Sequence, residues 1–189
     1  MMGMQVFKTF APREQMAVKS LDIPTELAQA LVARHDSCSS EPDHHFLAGV
    51  AKDDLTAIRK TLARSLDQRV LVTNLPEGWV FRGAQLCPVG QDRAAHVIFT
   101  RGNQTISLFS LPNADYPSST NDVPYESMAA GHPIAGFTHG NGMYCLVGSS
   151  PDGKLTLDEL KRLRDQLEDS AVFVLGPART NATVAVASR

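Results

Sequence analysis

The sequence predicts an α+β fold in two layers, an antiparallel sheet with helices packed on one face. Two observations lead to this prediction. Strand-like segments follow one another over residues 69–111 with only short turns between them, whereas parallel neighbours would need long crossovers. Amphipathic helical patterns precede and follow these strands. Each pattern has one apolar stripe, which must be buried against the sheet.

Composition and charge restrict the class of protein. The chain has 189 residues, of which 43% are hydrophobic and 20% are charged, as in a globular protein with one core. A net charge of −2 with scattered basic residues argues against a nucleic-acid partner. No apolar run approaches the roughly 20 residues of a membrane span, and residues 1–11 lack the pattern of a signal peptide. We therefore expect a cytoplasmic protein whose three cysteines are reduced.

The chain divides by pattern into an arm, one domain and a tail. Residues 1–21 show no periodicity and predict an irregular N-terminal arm. Residues 22–176 predict a single α+β domain, helical over 22–67 and rich in strands over 69–176. Residues 177–189 predict a flexible tail.

Two helices are predicted in the first third of the chain. The first begins near Pro24, because proline suits a first helical turn, and ends near His35. Leu27 and Leu31 share a face of this helix at i, i+4. The second helix covers about residues 53–67. Its apolar stripe consists of Leu55, Ile58, Leu62 and Leu66.

Strands and hairpins are predicted in the middle of the chain. The consecutive strand-like segments are Arg69–Leu75, Trp79–Val89, Arg93–Arg101 and Gln104–Leu111. The turns Gly90-Gln-Asp92 and Gly102-Asn103 favour hairpins. After a long connection, Asn113–Pro133, a further hairpin is predicted around Gly140-Asn-Gly142. A connection of this length is more often functional than a short one.

A third helix is predicted near the C-terminus. Thr156 and Glu159 have the spacing of a capping box, in which each side chain satisfies an amide at the helix start. Leucines at helical spacing continue the pattern to about Asp169. Residues 171–175 then predict a last short strand.

One short segment carries the best candidate ligands for a metal ion. His35-Asp-Ser-Cys38-Ser-Ser-Glu-Pro-Asp-His44-His45 holds three of six histidines and one of three cysteines. Imidazole and thiolate bind transition metals well, so His35, Cys38, His44 and His45 predict a zinc or copper site. Oxygen ligands, or hydrogen bonds to the ligating side chains, could come from Asp36, Glu41 and Asp43, although loops often carry such residues. Adjacent residues of an extended segment point to opposite sides, which allows one of His44 and His45 in a given site. The alternative is an exposed polar loop.

Catalytic patterns are weak by comparison. Cys87 and Cys145 belong to no Cys-x-x-Cys pair, and no Gly-x-Ser-x-Gly elbow occurs. His96 lies among apolar residues of a strand, which favours a structural histidine. A hydrolase or thiol enzyme is therefore the third hypothesis, and a non-enzymatic protein is expected.

A family resemblance covers about residues 69–168. It rests on Gly83-Ala-Gln-Leu-Cys-Pro, Ala95-His-Val-Ile-Phe-Thr-Arg-Gly, Ile106-Ser-Leu-Phe, Gly136-Phe, Gly142-Met-Tyr-Cys-Leu-Val-Gly148 and Leu157-Asp-Glu-Leu160. This series resembles the C-terminal sensory domain of bacterial transmembrane anti-sigma factors. The family's membrane span and its His-x3-Cys-x2-Cys zinc element have no counterpart here, so sequestration of a sigma factor is not carried over. The resemblance implies a domain that senses or holds something and passes on a conformational signal.

Two functional hypotheses follow. The first is a non-enzymatic regulatory or sensory binding domain with a protein partner, whose working parts are the His35–His45 segment and the connection 113–133. The alternative is a zinc or copper protein that uses the same His35–His45 segment.

Overall fold

The computed structural model describes residues 20–40, 47, 50–112 and 124–176. Its elements, in chain order, are β1 (Leu21–Asp22), α1 (Thr25–Ser39), α2 (Leu55–Leu66), β2 (Val80–Val89), β3 (Asp92–Arg101), β4 (Gln104–Pro112), β5 (Tyr125–Ala129), β6 (His132–His139), β7 (Gly142–Ser149) and α3 (Leu157–Leu175). The α+β class is confirmed.

The seven strands form one sheet in the order β1-β5-β6-β7-β4-β3-β2. β2–β3–β4 and β5–β6–β7 are two antiparallel meanders, and β4 pairs with β7 to join them. Only β1 is parallel to its neighbour β5 among the described strands. The β4–β7 register sets Ser107 opposite Val147, at the centre of the sheet.

Two-residue turns explain why the hairpins form. The turn Gly102-Asn103 joins β3 to β4, and Ala130-Gly131 joins β5 to β6. Gly102, Ala130 and Gly131 all have positive φ, at 59°, 47° and 81°. Such turns match the right-handed twist of antiparallel strands. The predicted hairpins of the middle of the chain and around Gly140-Asn-Gly142 are confirmed.

The helices lie on both faces of the sheet, which corrects the expectation of helices on one face in two layers. α2 and α3 cover one face, where Leu62 and Leu160 contact the core. α1 covers the opposite face, where Leu31 contacts a second core. The strands needed cover on both sides because residues 142–148 of β7 are buried at every position, a pattern of strands enclosed by two layers.

Several boundaries differ from those predicted. α1 continues past His35 to Ser39. Residues 69–75 contain buried Leu71 but form no strand; the Leu71 amide donates to the Ser110 hydroxyl instead. β5 lies within the predicted connection 113–133.

The expected last strand over residues 171–175 is the end of α3. Buried residues recur every three or four positions along this helix, so the helical stripe continues through the segment: Leu160, Leu163, Leu167, Ala171 and Leu175. The Thr156 hydroxyl accepts from the Glu159 amide, which confirms the predicted helix start.

Some predictions fall outside the described residues. Residues 1–19 of the expected arm, residues 113–123 of the long connection and the expected tail 177–189 belong to this group, as do His44 and His45. Within the described part of the chain, no helix is long and apolar enough to cross a membrane.

Candidate metal site

His35 lies at the interface between α1 and the sheet and is fully buried, with 0% exposure. It follows Leu31 by one helical turn, so the apolar stripe of α1 carries it inward. Its Nδ1 lies 2.7 Å from the Ser107 hydroxyl oxygen, and its Nε2 lies 2.8 Å from the Ser149 hydroxyl oxygen. Both imidazole nitrogens therefore have partners.

The hydrogen bonds continue beneath His35 into the sheet. The Ser107 hydroxyl oxygen also lies 2.7 Å from His96 Nε2, and the His96 ring stacks on Phe109 with centroids 4.3 Å apart. The result is a hydrogen-bonded chain, Ser149–His35–Ser107–His96, which is buried except at the half-buried Ser149. The structural role expected for His96 agrees with this position.

The environment of His35 keeps its imidazole neutral. Burial is the main cause, and the nearby charge of His132 adds to it; together they lower the pKa of His35 from 6.5 to about 3. The neutral imidazole is the form that binds metal ions. At neutral pH, His35 therefore has the protonation state that a metal ligand requires.

His132, the first residue of β6, lies beside His35 with the two rings edge to face and their centroids 5.5 Å apart. Its Nδ1 lies 3.1 Å from the Ala130 carbonyl oxygen, and its Nε2 lies 3.0 Å from a carboxylate oxygen of Asp36. A carbonyl oxygen only accepts, so Nδ1 carries the proton. Nε2 therefore faces the Asp36 carboxylate, and either a proton on Nε2 or a bound cation can join the two groups.

These three residues form the group that could hold a metal ion. One ligand atom each from His35, Asp36 and His132 lies within 4.8 Å of the others. α1 supplies the first two residues, and the β5–β6 hairpin supplies the third. Two imidazoles and a carboxylate are a donor set suited to zinc or copper.

The group shares only part of the predicted ligand set. His35 belongs to it, but Cys38 does not. Cys38 is 3% exposed, and its sulfur accepts from the Gln85 side-chain amide at 3.3 Å. His44 and His45 lie outside the described residues, so their participation stays a prediction.

Sequence reasoning missed His132. The residue lies far from His35 along the chain, inside a segment predicted as connection, and no spacing rule links the two. A signal for the burial of His35 was present, because Leu31, His35 and Cys38 continue one helical stripe. Extending the first helix by one turn would have placed His35 against the sheet.

A surface cleft of about 600 Å³ adjoins the group. His132 and Ser149 line it, so the cleft touches both one ligand candidate and a hydrogen-bond partner of His35. Met128 and Leu157 supply apolar lining, and Met128 is 57% exposed. A ligand in this cleft would lie beside His132 and Ser149.

The geometry does not favour nucleophilic catalysis. Burial raises the pKa of Cys145 to about 12, and burial together with Cys38 raises that of Cys87 to about 12, so neither thiol is activated. Ser149 and His35 are in hydrogen-bond contact like a nucleophile and its base. However, a histidine with a pKa of about 3 is a weak base for that task.

Comparisons with protein-family models, with curated proteins and with solved structures give no match to this chain.

Proposed function

We propose that this protein is a non-enzymatic regulatory domain that binds a zinc or copper ion through His35, Asp36 and His132. The observation that carries the proposal is the orientation of His132. Its Nδ1 donates to the Ala130 carbonyl, which directs Nε2 at the Asp36 carboxylate beside His35. A metal ion between these atoms would satisfy both.

The distances support a site that closes on the metal. Zinc binds nitrogen at about 2.0–2.1 Å in a tetrahedron, so neighbouring ligand atoms lie about 3.3 Å apart. His132 Nε2 and Asp36 Oδ1 are already 3.0 Å apart, and the widest separation in the group stays within 4.8 Å. The Asp36 side chain is 55% exposed, so it has room to adjust.

Three protein ligands leave one tetrahedral position open. His44 and His45 follow α1 closely in sequence, and one of them is our candidate for the fourth ligand. The site would then combine one histidine of the predicted ligand set with His35, Asp36 and His132.

The regulatory part of the proposal follows from the two elements that supply the ligands, α1 and the β5–β6 hairpin. A metal bound here would tie the C-terminal turns of α1 to the β5–β6 hairpin. Binding would thus stabilise the packing of α1 against this hairpin of the sheet, which is the kind of conformational signal that a sensory domain requires. The resemblance to the anti-sigma sensory domain supports this reading and motivates a protein partner.

Metal titration tests the proposal directly. Protein made without a histidine tag and stripped with a chelator is titrated with Zn²⁺ or Cu²⁺ against a chromogenic competitor. We expect one equivalent to bind, and we expect His132→Ala and Asp36→Asn to weaken binding at least tenfold. His139→Ala is the matched control, because His139 contacts the Gly176 carbonyl oxygen, away from the group.

Two results would contradict the proposal. One is less than stoichiometric metal in the unsubstituted protein. The other is a metal affinity that is unchanged in His132→Ala but lost in Cys38→Ser. That result would favour the ligand set predicted from the His35–His45 segment.

Hydrogen exchange tests the regulatory part. Metal should slow amide exchange in the last turns of α1 and in the β5–β6 hairpin, while α2, on the opposite face of the sheet, should serve as the unaffected reference. If amide protection is equal with and without metal, the protein has a metal site but binding produces no conformational signal.

A further inference from the structure

The two nitrogens of His35 face different surroundings. Nδ1 is directed to Ser107, which has 0% exposure and lies in the sheet interior. Nε2 is directed to Ser149, which lines the cleft together with His132. A metal ion that enters from the cleft, on the side of Asp36, therefore reaches Nε2. The contact between Nδ1 and Ser107 stays intact.

Proton counting shows that Ser149 blocks this nitrogen. A neutral imidazole has one N–H and one lone pair. If Nδ1 carries the proton, the Nε2 lone pair accepts from the Ser149 hydroxyl. If Nε2 carries the proton, it donates to Ser149 and has no lone pair for a metal. In both tautomers, metal can bind only after the His35–Ser149 contact at 2.8 Å is broken.

We infer that Ser149 is an intramolecular competitor for the metal-binding nitrogen of His35 and so sets the metal affinity of the site. This inference rests on the proposed function. Because Ser149 also lines the cleft, a molecule that draws its hydroxyl into the cleft frees the nitrogen. Occupancy of the cleft and of the metal site are then linked, and each favours the other.

Ser107 has the opposite role. Ligand histidines commonly donate their second ring N–H to a fixed acceptor, which orients the ring and sets its tautomer. Ser107 can accept from His35 Nδ1 and donate its own proton to His96 Nε2. With these hydrogen-bond directions, the lone pair of His35 lies at Nε2. Ser107 is a positioning residue for the metal.

The two serines give opposite predictions for metal affinity. Ser149→Ala removes one hydrogen bond that competes with the metal, so affinity should rise about fivefold. Ser149→Thr keeps the hydroxyl and should match the unsubstituted protein. Ser107→Ala should lower affinity about tenfold or more. A merely structural role for Ser149 would lower the affinity or leave it unchanged.

A second measurement needs no metal. In ¹⁵N spectra of the metal-free protein, the Nε2 resonance of His35 should shift in Ser149→Ala and not in Ser149→Thr. Failure of the unsubstituted protein to bind metal would overturn the proposed function and, with it, this inference. Metal binding with equal or weaker affinity in Ser149→Ala would overturn the inference alone, as would an unmoved Nε2 resonance.

Discussion

The two faces of the sheet differ in the chemistry that they bury. Under α2 and α3 the strands present a nearly continuous apolar surface, made of Val97, Phe99, Ile106, Leu108, Ala135, Phe137 and Leu146. Under α1, apolar residues are mixed with buried polar and thiol groups, namely His35, Cys38, Cys87, His96, Ser107 and Cys145. One sheet therefore separates a mainly apolar core from a core in which apolar and polar groups are mixed.

Because of this difference, the two faces contribute unequally to the stability of the fold and to the geometry of the ligands. An apolar core gains free energy in proportion to the area it buries, with no need for exact donor and acceptor positions. A buried polar chain adds little net stability, because it exchanges water hydrogen bonds for internal ones. It does fix the direction of each ring. We therefore assign the stability of the fold mainly to the α2/α3 face and ligand geometry to the α1 face.

The largest effect should come from the apolar face. Leu108 is fully buried at the centre of the sheet on the α2/α3 side, so Leu108→Ala should lower the free energy of unfolding by about 2–5 kcal/mol. Metal affinity of the folded protein should not change. Urea unfolding and metal titration measure the two quantities, and a loss below about 1 kcal/mol would contradict the assignment.

Lowering the pH should reduce the stability of the protein through His35, on the α1 face. The pKa of His35 is about 3 in the folded protein and 6.5 as a free side chain. Below pH 6.5 the unfolded chain therefore binds a proton that the folded protein excludes, and stability falls. From pH 7.5 to 4.5 with chelator present, this residue should cost about 2–3 kcal/mol. The reference is His35→Gln.

His35→Gln cannot titrate at this position, so the pH dependence of its unfolding should be shallower over the same range. Parallel curves for the two proteins, measured by urea unfolding at a series of pH values, would show that His35 already takes up a proton in the folded state.

A smaller effect is expected from the buried hydrogen bonds. His96→Leu removes the contact to Ser107 and should cost about 1–2 kcal/mol. Ser110→Ala on the opposite face is the matched comparison, because it removes one hydrogen bond to the Leu71 amide. Only His96→Leu should also weaken metal binding. Equal metal affinity in both variants would mean that the polar chain has no orienting role.

The smallest change in stability should come from Asp36→Asn. The carboxylate is 55% exposed, and exposed ion pairs contribute about 0–1 kcal/mol. The melting temperature of the metal-free protein should therefore hardly move, while stabilisation by added zinc should disappear. A large loss of stability without metal would show instead that the His132–Asp36 contact is structural.

Local chemistry explains what could be predicted of the fold. The hairpins followed from two-residue turns with glycine, and the start of α3 followed from Thr156 and Glu159. β5 was missed because its five residues lie in a segment rich in proline, serine and asparagine. Helices on both faces were not predicted. The unbroken burial of β7 indicates them, but it depends on neighbouring elements that local periodicity does not identify.

The candidate site shows the same limit. His35 was selected by residue type, but its contacts depend on tertiary structure. Ser107, Ser149 and His132 come from three different strands, and their meeting under α1 follows from strand order and register. No spacing within the sequence encodes that arrangement, so nearby Cys38, His44 and His45 were the natural but incomplete choice.

The pairing of β4 with β7 has a kinetic consequence. Each meander closes through neighbouring segments, whereas this central ladder joins strands that are distant along the chain. Closing it carries an entropic cost before its contacts form. We expect substitutions along this seam to slow refolding in stopped-flow experiments, and hairpin substitutions at the edge β2 to act mainly on the unfolding rate.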